Sequence, residues 1–292
     1  MAELMPDQAA GLRRLFARNL VRTVTLTAGK AGTGRSAIAA NLACALARRG
    51  QSVCVLDQNG DRRGVADHLG VRVPHDLADV VRRDRALADI IVTGPEGIRF
   101  VAAAEATRLL GSLPSEEETR LVKTFGALEP QIDMMLVDAP SAEADSAPCY
   151  SLASTEVIVV VSGAADAITE AYALIKRLTW DFARRRFHVL VNRVRSAEQA
   201  EAIFANLDST AERYLGVKLS SIGWVPEDEA LRKATKLKQA VVSAFPDAPS
   251  AAALRGVADT VMQWPYAGED CLDGFVQRLV QASRIASLSA ST

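Results

Sequence analysis

The chain has 292 residues, 49% hydrophobic and 24% charged, the balance of a globular protein that fills one large α/β domain or two smaller ones. A formal net charge of −1 removes the bulk electrostatic motive for a nucleic-acid partner. Four scattered cysteines without a CxxC pair argue against a zinc site or a disulfide framework, and no apolar run approaches the ~18 residues of a membrane helix, so a cytosolic protein is expected.

In chain order, Pro6-Asp7 makes a helix entry, and Leu12, Leu15, Phe16 and Leu20 follow at helical spacing. Residues 24–27 read as a short strand that runs into a glycine-rich loop, and residues 36–48 as the helix beyond it. Further apolar runs at 53–56, 98–101, 134–137, 157–161, 189–191 and 222–225 read as strands. Most are continuous rather than alternating, which suits strands covered on both faces. Helices are expected at 167–180, 197–215, 230–240 and 251–262. This alternation predicts an α/β fold, a mostly parallel sheet flanked by helices, with ligands at the carboxyl ends of the strands. The expected division is a helix in residues 1–20, a domain over 21–266 and an amphipathic C-terminal segment over 267–292. After the Trp264-Pro265 break, Leu272, Phe275, Val276, Leu279 and Val280 fall on one helical face. Such stripes usually dock on a core; at a chain end this one is expected to meet a membrane weakly and reversibly.

The loop carries the chemistry. Gly29-x4-Gly34-Arg35-Ser36 has the P-loop spacing with arginine where the pattern has lysine. Glycines let successive N–H groups turn toward an anion, and the helix that follows points its positive end at the same place. Gly29, Lys30, Ala31, Gly32, Thr33, Gly34, Arg35, Ser36 and Ala37 are therefore expected to hold phosphates, with the Ser36 hydroxyl placed to ligate Mg²⁺. Lys30, directly after the first glycine, is a second cation that most P-loops lack.

Gly29-Lys30-Ala31-Gly32-Thr33-Gly34-Arg35-Ser36, Leu56-Asp57-Gln58-Asn59 and Leu136-Val137-Asp138-Ala139-Pro140 together resemble the MinD/ParA group of deviant-Walker P-loop ATPases. Residues 166–176, the Val191-Asn192-Arg193 strand end and residues 219–228 extend the resemblance over nearly the whole chain. The Asp7-Gln8-Ala9 and Leu12-Arg13 element is similar to that of the flagellar-number regulators, the FlhG/FleN branch. The resemblance implies ATP with Mg²⁺, and an ATP-dependent homodimer in which Lys30 reaches the partner's phosphates. Asp57 and Asp138 would hold the metal through waters; a helix N-cap is the competing role for each. Asn192 with Arg193 would read the base, with capping of the strand end as the lesser alternative for the asparagine, and Pro226, Glu227 and Asp228 would close over it, although they also suit a turn before a capped helix. Asp7, Gln8, Leu12 and Arg13 would contact an FlhF-type GTPase. A flagellar transcriptional regulator or switch-complex protein is the second implied partner, and the inner face of the cell membrane the place of work.

Three residues depart from that pattern. Arg35 replaces a point charge with a wider planar fork. Asn59 stands where the family has an aspartate that orients water, and an amide cannot accept a proton as a carboxylate does. Ala142 replaces a glycine after the second switch. The expectation is bound nucleotide and slow or impaired hydrolysis, with Lys30, Arg35 and Asn59 as the residues that bear on turnover. A non-hydrolysing, nucleotide-gated adaptor is the alternative, and a division or DNA-partitioning ATPase a weaker one.

Overall fold

The computed structural model describes residues 20–59, 64–141, 149–266 and 271–289. The N-terminal element with Asp7, Gln8, Leu12 and Arg13 lies outside them, as does Ala142. The strands are β1 (Arg22–Thr27), β2 (Val53–Asp57), β3 (Val92–Thr93), β4 (Arg99–Ala102), β5 (Met134–Asp138), β6 (Glu156–Ser162), β7 (His188–Val194) and β8 (Ser220–Pro226). They form one sheet in the order β3-β4-β2-β5-β1-β6-β7-β8. Every described pairing is parallel except β3 with β4, so the fold is the expected α/β sheet flanked by helices. The seven apolar runs all become strands. The two-residue edge strand β3 is too short to show a period.

The sheet is buried on both faces because alternate residues feed different cores. Val53 and Val55 of β2 join one cluster, under helices α1 (Arg35–Ala47) and α7 (Pro249–Gln263), while Cys54 and Leu56 join the other. A third cluster sits under α4 (Ala165–Trp180) and α5 (Ala197–Leu215). Helix α1 is apolar almost all round and buried from Ile38 to Leu46; its alanines let it lie close between β1 and α7. The helix read at 230–240 is shorter than expected. It is α6 (Glu229–Lys236), ended by Leu237 and the left-handed Lys238 (φ 56°).

The opposite face corrects the reading of the C-terminus. Helix α8 (Leu272–Ser289) is a layer of the domain rather than an appendage from residue 267. Leu272, Phe275, Val276, Leu279 and Val280, expected to face lipid, are at most 1% exposed. They cover α2 (Ser115–Gly126) and α3 (Cys149–Ala153), beside Leu121, Phe125 and Tyr150. Polar ties fix the berth: Arg278 Nε donates to the Ala153 carbonyl at 2.8 Å, and Arg284 bonds Glu118 at 2.8 Å. The physical reason is that the α2 and α3 face needs a cover, and each fully buried Phe, Leu or Val is worth about 1.5–3 kcal/mol there. Among the described residues no helix is long and apolar enough to cross a membrane.

Candidate functional site

The loop between β1 and α1 opens at the carboxyl edge of the sheet. Gly32 (φ 83°) and Gly34 (φ 88°) take left-handed backbone that strongly favours glycine, and this turns the loop into the first turn of α1. Gly29 is needed for a different reason: a Cβ there would stand 2.1 Å from the Glu170 carbonyl carbon of α4. A cavity of about 740 Å³ lies against the loop. Its walls include residues 30–37, Asn59, Asn192, Arg193 and the 226–228 loop, so the structure gathers these expected residues in one place. It adds His68, Arg232, Thr235 and Lys236, which carried no sequence motif.

Asn192, near the carboxyl end of β7, ties the strand to the loop. Its Nδ2 donates to the Thr33 carbonyl at 2.8 Å, and its Oδ1 accepts the Arg193 N–H at 3.0 Å. Arg193, itself left-handed (φ 58°), adds a bond from Nη1 to the Gly32 carbonyl at 2.7 Å. The wall formed by Pro226, Glu227 and Asp228 starts α6. Asp228 is the N-cap, accepting from Ala230 N at 2.8 Å, and it also accepts from Ser250 Oγ at 2.6 Å. Burial pushes its carboxyl up, but the Ser250 and Ala230 bonds outweigh this and hold it below the usual range. Its side chain is thus spent on joining α6 to α7. Lys30 forms an exposed ion pair with Asp166 at the start of α4.

Asp57 and Asp138 lie on neighbouring strands in register, at the ends of β2 and β5. Arg35 enters between them and the loop. Its Nε donates to Asp138 Oδ1 at 2.6 Å, and its Nη2 reaches Asn59 Oδ1 at 2.9 Å and Ser36 Oγ at 3.3 Å. Asn59 completes the clamp by donating Nδ2 to Asp138 Oδ2 at 2.6 Å. Asp57 in turn accepts the Asn59 N–H at 2.9 Å and the Ala66 N–H at 3.2 Å. Burial, followed by the charge of Asp138, raises Asp57 to about 6. Burial also raises Asp138, opposed chiefly by Arg35. Ser36, Asp57 and Asp138, the donors expected for Mg²⁺, therefore converge, but a guanidinium already lies on two of them.

A glycine-rich cradle at a helix N-terminus, paired carboxylates on adjacent strand ends and an adjoining cavity define a nucleotide-binding P-loop fold. The CobQ/CobB/MinD/ParA nucleotide-binding domain family matches residues 24–241. The chain belongs to that family and is a P-loop ATPase of the MinD/ParA class. It is 35% identical to the antiactivator FleN of Pseudomonas aeruginosa over 92% of this chain and 97% of that one, and it belongs to the FleN branch. The flagellum site-determining protein YlxH of Helicobacter pylori is 24% identical over 72% of this chain and 71% of its own. Among solved structures, MinD of Aquifex aeolicus superposes with a TM-score of 0.65 at 21% identity, covering 85% of this chain and 99% of that one. MinD of Pyrococcus horikoshii, solved with Mg-ADP, gives 0.63 at 23% identity, covering 84% and 97%.

Proposed function

We propose that this protein is a nucleotide-dependent regulator of flagellar number or placement and of flagellar gene expression. The observation that carries this is a built phosphate cradle on a chain whose likeness to the antiactivator FleN runs nearly end to end. ATP fills the cavity, with its phosphates on residues 29–37 and its base toward Asn192, Arg193 and the 226–228 loop. Ser36, Asp57 and Asp138 are the residues available to a Mg²⁺ ion. ATP favours a homodimer through Lys30, and hydrolysis is slow. A flagellar transcriptional regulator or switch-complex protein is the downstream partner. Reversible association with the inner face of the cell membrane belongs to this reading only if α8 leaves its berth, since its apolar stripe is core.

Asp7, Gln8, Leu12 and Arg13 form the contact for an FlhF-type GTPase. A glutamine can position water and an arginine can stabilise phosphoryl-transfer charge, the two roles a GTPase activator supplies. A synthetic peptide of residues 1–20 is expected to accelerate GTP hydrolysis by such a partner, and the same peptide with Gln8→Ala and Arg13→Ala is not. If full-length protein stimulates and the wild-type peptide does not, the activating surface lies elsewhere. One observation favours a second reading, a non-hydrolysing adaptor: Asn59 and Arg35 are bonded to each other, and neither can act as a base.

A further inference from the structure

The guanidinium of Arg35 occupies the ground where a divalent cation would work. It holds Asp138 through Nε at 2.6 Å and touches the Ser36 hydroxyl through Nη2 at 3.3 Å. Asp138, fully buried, has its second oxygen taken by Asn59 at 2.6 Å. Asn59 is matched to this arrangement because its amide donates to Asp138 and accepts from Arg35 at once, which an aspartate could not do. A Mg²⁺ ion held by these oxygens would have to compete with two charge-assisted bonds inside a buried site.

We infer that nucleotide binds this cavity without needing a divalent cation, with Arg35 and Asn59 standing in for the metal and part of its water shell. The inference rests on the nucleotide reading of the cavity and goes further by removing the metal from the binding step. Phosphate charge is met instead by the loop N–H groups, the N-terminus of α1 and the cations Lys30, Arg193, Arg232 and Lys236 on the cavity wall. Lysine at 35 would be a compact point charge with no fork to span Asp138, Ser36 and residue 59. With Arg35→Lys and Asn59→Asp together, the site regains three carboxylates and loses its internal bridge, so it needs the ion.

The test is a fluorescence titration of full-length protein with N-methylanthraniloyl-ADP, in excess MgCl2 and again in EDTA. Wild-type affinity is expected to change by no more than about twofold between the two, whereas the R35K/N59D protein weakens by about tenfold or more in EDTA, the size of one lost charge-assisted bond. A wild-type protein that loses affinity tenfold in EDTA overturns the inference while leaving the nucleotide site intact. Wild type that binds in neither buffer overturns the site itself, and the two failures are distinct. The wild-type comparison decides the matter even if the double variant does not fold.

Discussion

At the residue scale the site is governed by one substitution pair. Arg35 and Asn59 are joined at 2.9 Å and together engage both oxygens of Asp138. Both oxygens of Asp138 and the fork of Arg35 are thus engaged within the protein, which is the basis for the proposed slow hydrolysis. A missing catalytic base commonly costs ~10²–10⁴-fold, so the R35K/N59D protein is expected to release phosphate from ATP much faster than wild type in a coupled assay. Equal rates would show that neither residue limits turnover. A third buried carboxylate, besides Asp57 and Asp138, lies at the opposite edge of the sheet. Glu156 is raised by burial, but His188 at 2.9 Å, followed by Arg186, outweighs this and leaves its pKa below the ordinary 4.5. A depressed carboxyl stabilises the fold above its unfolded pKa, and that contribution is lost as pH falls through 4.5 toward the folded value. Glu156→Gln is expected to flatten the acid limb of stability below about pH 4.5, read from urea midpoints across pH. An acid limb as steep as that of wild type would place the sensitivity in other carboxyls.

At the scale of elements, helix α8 shows what a stripe does and does not say. Phe275 is fully buried and lies 6.5 Å, centroid to centroid, from Tyr150. Replacing it with glutamate leaves a cavity and buries a charge, so Phe275→Glu is expected to lower stability by at least about 3 kcal/mol. Chemical denaturation measures this, and an unchanged midpoint would mean that α8 is detached in solution. The sequence revealed the amphipathic face but not its cover, because Leu121, Phe125 and Tyr150 lie more than a hundred residues away in the chain. Most of the central strands were legible for the converse reason. Burial on both faces writes an unbroken apolar run that needs no knowledge of neighbours. Helices of four or five residues, such as Leu77–Val81 and Ala106–Leu110, are too short to display a period. In the site, the loop announced itself through its glycines. The Arg35–Asp138 bond joins residues 103 apart and had no local signature.

For the whole molecule, the question is how a bound nucleotide becomes an assembly signal. Lys30 sits on the rim of the cavity and is paired with Asp166 of its own chain, both side chains substantially exposed. An exposed pair of this kind is screened by solvent and holds its lysine only weakly. A second subunit presenting phosphates therefore offers Lys30 a stronger, charge-assisted partner at small cost. In the proposed dimer this exchange links nucleotide to assembly through a side chain of the loop itself. Lys30→Ala is accordingly expected to keep the monomer fold and nucleotide binding, and to abolish the rise in mass that ATP produces in wild type. Asp166→Ala, which removes the Lys30–Asp166 ion pair, is expected to shift the ATP-dependent equilibrium toward dimer. Light scattering with and without ATP reads both variants. Should Lys30→Ala dimerise with ATP as wild type does, the lysine is only half of a surface ion pair and the interface lies elsewhere on the chain.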